Sequence, residues 1–359
     1  MTAMHRDPGK VGMDPSVLTS FDAIVDARSP AEYAEDHIPG AVSCPVLDDE
    51  ERARVGTIYK QVSPFEAKKI GAVLVARNVS GHIEKSFIGK PKTWRPLVYC
   101  WRGGKRSGAM AHILRDIGWD ARTLEGGYKA YRRWVVEQLA RVPYRLRFRV
   151  VCGPTGSGKS LLLQALARAG AQMLDLEDLA AHRGSVLGNL PGRPQPTQKM
   201  FESLVLQRLG SFESSRQIFV EAESKKIGQL QVPDVLIHQM RGAPCLRLQA
   251  SLETRVALLM REYRHFLEDR ALLDAQLDCL VGLHGHARIA EWKALPAGEL
   301  VRRLLEEHYD PAYQRSIHRN YVRHGEAAIV NLGGPDEMAF ARLARTLVTT
   351  GEAARAGTA

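Results

Sequence analysis

This sequence lacks the features that mark membrane and secreted proteins. No apolar run approaches the roughly 20 residues that a membrane-spanning helix needs, so we expect no contact with a membrane. The first residues, MTAMHRDPGKVG, contain no apolar core segment. We therefore expect no secretory signal and a cytoplasmic location.

Paired cysteines are also missing. The chain has five cysteines and no CxxC motif; they are Cys44, Cys100, Cys152, Cys245 and Cys279. An odd, dispersed set argues against a disulfide framework and against a zinc cluster. We expect reduced thiols, so that one of them can be reactive.

Basic residues are in excess. Fifty Lys and Arg face forty Asp and Glu, which gives a formal net charge of +10. Such a balance favours a polyanionic partner such as a nucleic acid, although a generally basic surface would produce the same numbers.

The length of 359 residues suggests two or three domains. Residues 1–137 alternate short apolar runs with helical patterns, as an α/β domain does, with strands predicted at 21–26 and 96–100. We place a second α/β domain at 138–250. The region 251–359 is helical in pattern and rich in Arg, and we assign it to the second domain and to partner contact.

A cysteine loop follows the predicted strand at 96–100 and precedes a predicted helix. Backbone N–H groups in such a loop converge on one point, and the helix N-terminus adds a positive end, so a cysteine there should be largely thiolate. We predict Cys100 as the catalytic residue; the alternative is a buried cysteine at a strand end. The residues predicted to hold an anion are Trp101, Arg102, Gly103, Gly104, Lys105, Arg106 and Ser107.

A second phosphate-binding loop is predicted at 153–160, where GPTGSGKS matches G-x4-G-K-[ST] between a strand and a helix. Backbone N–H groups and the lysine would bind a diphosphate. The residues predicted to do so are Gly153, Thr155, Gly156, Ser157, Gly158, Lys159 and Ser160. Ser160 could also ligate Mg²⁺, but the sequence leaves a metal requirement open.

The predicted strand at 216–224 carries glutamates where a Walker B strand usually has aspartate, which weakens any case for ordinary ATP hydrolysis. Other polar residues of the second domain are further site candidates. The whole set is Asp175, Glu177, His182, Arg183, Glu221 and Glu223.

The first domain resembles rhodanese-type sulfurtransferases. The segments that carry the resemblance are DARSPAEY at 26–33, HIPGA at 37–41, the cysteine loop and GG at 126–127. The loop departs from the usual sulfurtransferase pattern because its spacing is Cys-x5-Arg, as in phosphatases. A longer loop gives a wider cradle, which favours a phosphorus-bearing substrate.

The chain as a whole resembles tRNA 2-selenouridine synthases. This likeness rests on ERARVGTIYK at 51–60, DLE at 175–177, HRGS at 182–185, PTQKMFE at 196–202 and VEAESKKIG at 220–228. It implies an α/β protein in which a rhodanese-like domain with a parallel central sheet precedes a P-loop α/β domain with a helical C-terminal region.

The resemblance also implies an activity. The wobble 2-thiouridine of tRNA would first be geranylated from geranyl diphosphate, and selenium from selenophosphate would then replace S-geranyl. The P-loop would hold the diphosphate, and Cys100 would accept selenium as a perselenide or assist in another way. We expect no tightly bound cofactor, tRNA as partner, and a selenophosphate-supplying enzyme as a further candidate partner.

Contacts with tRNA are expected from basic residues, or these residues form solvated helix faces. One candidate group is the Arg-rich stretch 132–149, which we interpret as the interdomain linker with a strand end that belongs to the second domain; the others are Arg255, Arg261, Arg264, Arg302, Arg303, Arg315 and Arg319. Trp101 could stack on a base or be packed.

Two other functions fit the same loops. One is a rhodanese-type sulfurtransferase or phosphatase fused to a P-loop kinase that acts on small molecules. The other is a nucleotide-sensing regulator with an inactive rhodanese module, which the presence of Cys100 disfavours.

Overall fold

The computed structural model describes residues 9–184, 188, 190, 192–264 and 270–356. The chain divides into two compact units. The first comprises Met1–Gln138 with Glu202–Gln207, and the second Leu139–Phe201 with Arg208–Ala359. No helix among the described residues is both long and apolar enough to cross a bilayer.

The first unit contains a five-stranded parallel sheet, which confirms the predicted fold class for this part of the chain. Its order is β1-β5-β4-β2-β3, and all four pairings are parallel. The strands are β1 (Lys10–Val11), β2 (Ala23–Asp26), β3 (Val42–Ser43), β4 (Pro96–Tyr99) and β5 (Arg122–Leu124).

Helices flank this sheet, and their ends follow local capping rules. Ser29 and Glu32 form a capping box at the start of α2, where Pro30 occupies the first turn. Gly118, with a φ of 111°, ends α5 in the left-handed conformation. The helices are α1 (Pro15–Leu18), α2 (Pro30–Glu35), α3 (Asp49–Gln61), α4 (Pro64–His82), α5 (Lys105–Ile117) and α6 (Gly127–Leu139).

A buried ion pair holds the start of the rhodanese-like signature in place. Arg28 donates to the Asp26 carboxylate at 2.6 Å and to the Asp36 carbonyl oxygen at 2.6 Å. The Tyr99 hydroxyl donates to Asp26 at 2.7 Å. Burial alone would lower the pKa of Arg28, but the hydrogen bond and charge of Asp26 hold it above its ordinary value. These signature residues therefore brace the sheet.

The second unit contains another five-stranded parallel sheet, of order β12-β11-β6-β8-β7, and a short antiparallel hairpin. Its strands are β6 (Arg147–Cys152), β7 (Gln172–Leu174), β8 (Gln217–Glu221), β9 (Lys226–Ile227), β10 (Leu230–Gln231), β11 (Cys245–Gln249) and β12 (Ala328–Asn331). The predicted helical C-terminal region is confirmed, and one strand within it, β12, pairs with β11 and completes the sheet edge.

Helices of the second unit cover the sheet and fill most of the C-terminal region. They are α7 (Lys159–Arg168), α8 (Leu176–Leu179), α9 (Gln198–Gly210), α10 (Asp234–Gly242), α11 (Leu252–Glu262), α12 (Arg270–Asp278), α13 (Val281–Ala294), α14 (Ala297–Leu304), α15 (Asp310–Asn320) and α16 (Glu337–Ala356). The stretch 132–149, predicted as the interdomain linker, contains the boundary between the two units at Gln138 and Leu139. It is regular structure rather than a loop, because α6, a 3-10 turn at Val142–Arg145 and β6 occupy most of it.

Candidate active sites

Cys100 lies directly after β4, at the start of the loop that leads into α5. Its side chain is only 3% exposed and belongs to the core cluster of the first unit. The Ser107 hydroxyl, in the first turn of α5, donates to Cys100 Sγ at 3.2 Å. Ser107 thus provides a polar partner for a sulfur that is otherwise packed in the core.

The loop after Cys100 turns tightly against the start of α6. Lys129 donates its N–H to the Trp101 carbonyl oxygen at 3.1 Å, and Tyr128 donates to the Cys100 carbonyl oxygen at 2.9 Å. Gly103 has a φ of +62°, and a Cβ there would lie 2.3 Å from the Leu124 carbonyl oxygen. Only glycine fits such a position.

Backbone donors around Cys100 remain available for a ligand. Within the described part of the chain, none of the N–H groups of residues 101–107 donates a hydrogen bond to a protein acceptor. Unpaired successive amides at the N-terminus of a helix form an anion-binding concavity. The loop can therefore take a phosphate-like group beside the sulfur.

The basic residues of the loop differ in their surroundings. Arg106 donates to Glu32 at 2.7 Å, and burial alone would raise the pKa of Glu32, but the hydrogen bond and charge of Arg106 hold it below its ordinary value. Arg102 and Lys105 are exposed, and neither forms an ion pair with a described residue. Glu32 is a site residue that the sequence reasoning missed, although it stands in the rhodanese-like signature.

Trp101 packs against the protein. Its ring stacks on Tyr128, with centroids 5.3 Å apart and an interplanar angle of 29°. Of the two interpretations of Trp101, packing is the one that the geometry favours.

The P-loop connects β6 to α7. Gly156 and Gly158 have φ values of +77° and +82°, and a Cβ on Gly158 would lie 2.6 Å from Phe340 Cζ. These glycines let the backbone curl tightly around a phosphate. Lys159 Nζ lies 3.9 Å from Glu221 Oε2, so the lysine is poised beside the end of the neighbouring strand.

Three glutamates that are far apart in the chain meet beside Lys159. Carboxylate oxygens of Glu177, Glu221 and Glu223 all lie within 4.8 Å of one another. Burial, followed by the charges of the other two, raises the pKa of Glu177 to about 10. Burial and the charge of Glu221 raise the pKa of Glu223 to about 8.

The cluster has oxygen ligands to offer a divalent cation. Burial raises the pKa of Glu221, although Lys159 and Ser160 oppose that shift, and Glu221 Oε1 is buried without a hydrogen-bond partner among the residues that the structure describes. Carboxylates that repel one another are stabilised by a hard cation such as Mg²⁺. The donor set therefore fits the metal that the P-loop serine suggested.

The other polar candidates line the same cavity of about 400 Å³ as Lys159 and Ser160. Asp175 caps α8 by accepting the Asp178 N–H at 2.8 Å, and burial raises its pKa. His182 is buried, which lowers its pKa, and its Nδ1 lies 3.1 Å from the Gly184 N–H. Arg183 pairs with Glu262. Ser185 of the HRGS segment lies outside the described residues.

The structure contradicts the interpretation of Arg255 as a tRNA contact. Arg255 is 6% exposed; its Nε donates to the Thr155 carbonyl oxygen at 2.9 Å, and its guanidinium pairs with Asp310. Arg255 therefore holds the P-loop backbone at Thr155 in place. Arg302 and Arg303 are more exposed and pair with glutamates on neighbouring helical turns or helices.

Both units match known protein families. Residues 14–133 match the family described as the rhodanese-like domain, and residues 146–280 match the one described as the tRNA 2-selenouridine synthase AAA domain. The chain is 36% identical to the tRNA 2-selenouridine synthase of Nitrosomonas europaea over 264 residues, which cover 72% of this chain and 68% of that protein.

Two further relatives align over more of their length. The tRNA 2-selenouridine synthase of Bdellovibrio bacteriovorus is 30% identical over 83% of this chain and 90% of that protein. The enzyme of the same description from Alcanivorax borkumensis is 33% identical over 85% of this chain and 92% of that protein. These alignments span both loops.

Proposed function

The chain belongs to the tRNA 2-selenouridine synthase family of tRNA-modifying, selenium-transferring enzymes, and from this premise we propose that it acts in two linked steps, with one phosphate-binding loop for each. Geranyl diphosphate supplies a geranyl group to the sulfur of wobble 2-thiouridine. Selenophosphate, made by a separate enzyme, then supplies selenium that replaces S-geranyl. The small-molecule alternatives lose support because the relatives that align along the chain carry a tRNA-modifying description.

The first step belongs to the P-loop. The 2-thiouridine sulfur attacks C1 of geranyl diphosphate, the C–O bond breaks, diphosphate leaves and the uridine N3 proton is released. Negative charge grows on the leaving group, where Lys159 and the loop amides stabilise it. No nucleotide hydrolysis is needed, which agrees with glutamates in place of the usual Walker B aspartate.

A divalent cation would assist that step. Glu177, Glu221 and Glu223 would hold it, and it would neutralise diphosphate charge. The residues of the chain itself bind and orient the diphosphate through the loop amides and Lys159.

The second step must conserve the oxidation states of selenium and phosphorus. Selenium of selenophosphate attacks C2 of S-geranyl-2-thiouridine, a C2–Se bond forms, the C2–S bond breaks, and geranylthiolate leaves and takes up a proton. Cleavage of the Se–P bond then releases 2-selenouridine. A perselenide on Cys100 would instead leave phosphorus reduced to phosphite, or would need an oxidant.

The loop geometry supports a role for Cys100 at phosphorus. Its thiolate would attack phosphorus, the Se–P electrons would pass to selenium, and water would hydrolyse the resulting cysteinyl phosphate to orthophosphate. Free amides of residues 101–107 and Arg106 would hold the phosphoryl oxygens. Ser107, 3.2 Å from Cys100 Sγ, would stabilise the departing thiolate.

One observation carries the proposal: the chain contains two separate loops built for phosphate groups, in a family whose members act on tRNA. Nucleoside mass spectrometry of tRNA from a deletion strain, complemented with each variant, tests it. Lys159→Ala should leave 2-thiouridine without geranyl or selenium. Cys100→Ser should still geranylate but lose 2-selenouridine; unchanged 2-selenouridine in that strain would remove Cys100 from the reaction.

A further inference from the structure

A cavity of about 520 Å³ opens beside the Cys100 loop, within the first unit. Helices α3, α4 and α5 supply most of its wall. Val55, Ala72, Val75 and Ala109 are among the lining residues, and the lining contains no acidic side chain. Its size falls in the range of about 300–1,000 Å³ that is typical of small-molecule sites.

Small side chains on α4 create this space. Ala67, Gly71 and Val75 recur at four-residue intervals and therefore share one helix face. A Cβ on Gly71 would lie 3.5 Å from Val55 Cγ1, which is ordinary contact, so a larger residue there would press into the wall from α3. Helices α3 and α4 therefore touch at Gly71 and Val55, and the cavity lies beside this contact.

The cavity adjoins the loop that follows Cys100 through two shared residues. Lys105 and Arg106 belong to the phosphate-holding segment and also line the cavity, and Ala109 lies one turn further along α5. The cavity is thus polar and cationic at the loop and mostly apolar elsewhere. A ligand that fits would place its reacting end, next to an anion, at the loop and a hydrocarbon tail in the apolar part of the cavity.

We propose that this cavity holds the geranyl chain of the S-geranyl-2-thiouridine intermediate while selenium replaces sulfur, an inference that rests on the proposed function. The C2–S bond must break beside the loop that holds selenophosphate. The ten-carbon chain attached to that sulfur must then extend from the loop, and this mostly apolar cavity adjoins the loop at Lys105 and Arg106. Burial of the chain would select the geranylated nucleoside over unmodified 2-thiouridine.

The test uses an RNA stem-loop with either S-geranyl- or S-methyl-2-thiouridine at the wobble position, and selenophosphate as second substrate. The two thiolate leaving groups are chemically similar, so a difference in kcat/KM reports recognition of the chain. We expect the native protein to prefer the S-geranyl substrate by at least about tenfold. Ala72 is an exposed residue of the cavity wall, so Ala72→Phe, which places a ring at the open edge of the cavity, should abolish this preference and leave the S-methyl rate unchanged.

Val73→Phe is the matched control, because Val73 is adjacent on α4, 61% exposed and absent from the cavity wall. It should keep the full preference. The S-methyl rate of the same preparations checks that Ala72→Phe is folded, since that step uses the Cys100 loop of the same unit. Should the variant fail to fold, a stem-loop with a diazirine at the end of the S-linked chain should label residues 49–82 of the native protein.

The outcomes separate the two hypotheses. If the native protein converts neither thioether, the proposed geranylated intermediate is wrong whatever the cavity binds. If it prefers S-geranyl and folded Ala72→Phe keeps that preference, or the diazirine labels only other segments, the cavity assignment is wrong and the proposed function stands.

Discussion

Arg255 allows a sharp test of whether a basic residue near the P-loop is structural or a contact for RNA. Its guanidinium makes two hydrogen bonds to Asp310, at 2.9 and 2.5 Å, and one to the Thr155 carbonyl oxygen at 2.9 Å. Arg255→Met keeps the length and apolar packing of the side chain but removes all three bonds. Asp310 and the P-loop carbonyl would lose their partner.

The magnitude follows from burial. Breaking a fully buried ion pair costs about 3–5 kcal/mol, but Asp310 is 28% exposed and water can replace part of the lost interaction. We therefore expect the free energy of unfolding to fall by about 2–3 kcal/mol. For a unit of this size that corresponds to a decrease in Tm of roughly 5–10 °C.

Thermal unfolding measures the change in Tm, and RNA-binding titrations over a range of salt concentrations measure the salt dependence of RNA affinity. The matched control is Arg302→Met, since Arg302 forms only a partly exposed ion pair with Glu253 at 3.6 Å. The free energy of unfolding of that variant should stay within about 0.5 kcal/mol of the value for the native protein. Arg255→Met should also raise KM for geranyl diphosphate, because Thr155 belongs to the P-loop.

The opposite pattern would refute this reasoning. If Arg255→Met unfolds like the native protein while the slope of log affinity against log salt falls by about 1, Arg255 contacts an RNA phosphate and the buried anchor does not exist.

Three further predictions concern both loops. Glu32→Gln should release Arg106 and raise KM for selenophosphate severalfold without changing geranylation; an unchanged KM would exclude Arg106 from binding. Gly127→Ala should destabilise the protein by about 1–3 kcal/mol and reduce selenium transfer, because its Cβ would lie 2.1 Å from the Cys100 carbonyl oxygen, whereas Gly108→Ala, with open space around it, should be tolerated. Glu223 has a pKa raised from 4.5 to about 8, so the folded state keeps a proton that the unfolded state releases. Stability should then fall by about 2 kcal/mol between pH 6 and 8, a decrease that Glu223→Gln should reduce in urea titrations.

Local sequence determined the two loops. In each, a strand ends, the following residues carry the glycines and cations, and a helix begins, so the chemistry lies within about eight consecutive residues. The residues between Cys100 and Ser107, and those between Gly153 and Ser160, could be assigned to loops without knowledge of anything distant. The α/β class followed in the same way from short apolar strands that alternate with helices.

Only the tertiary structure decided which distant groups meet these loops. The parallel pairing of β6 with β8 brings Glu221 beside Lys159. Helix α8, which follows β7, adds Glu177, and the loop after β8 adds Glu223. Arg255 and Asp310 meet although 55 positions separate them, and β12 joins the sheet from a region of helical pattern. No periodicity along the chain encodes such contacts, because they depend on strand order and on burial. In the sequence, Arg255, Arg302 and Arg303 look alike, as basic residues of helical segments. In the structure, Arg255 is a buried partner of Asp310, whereas Arg302 and Arg303 form surface ion pairs.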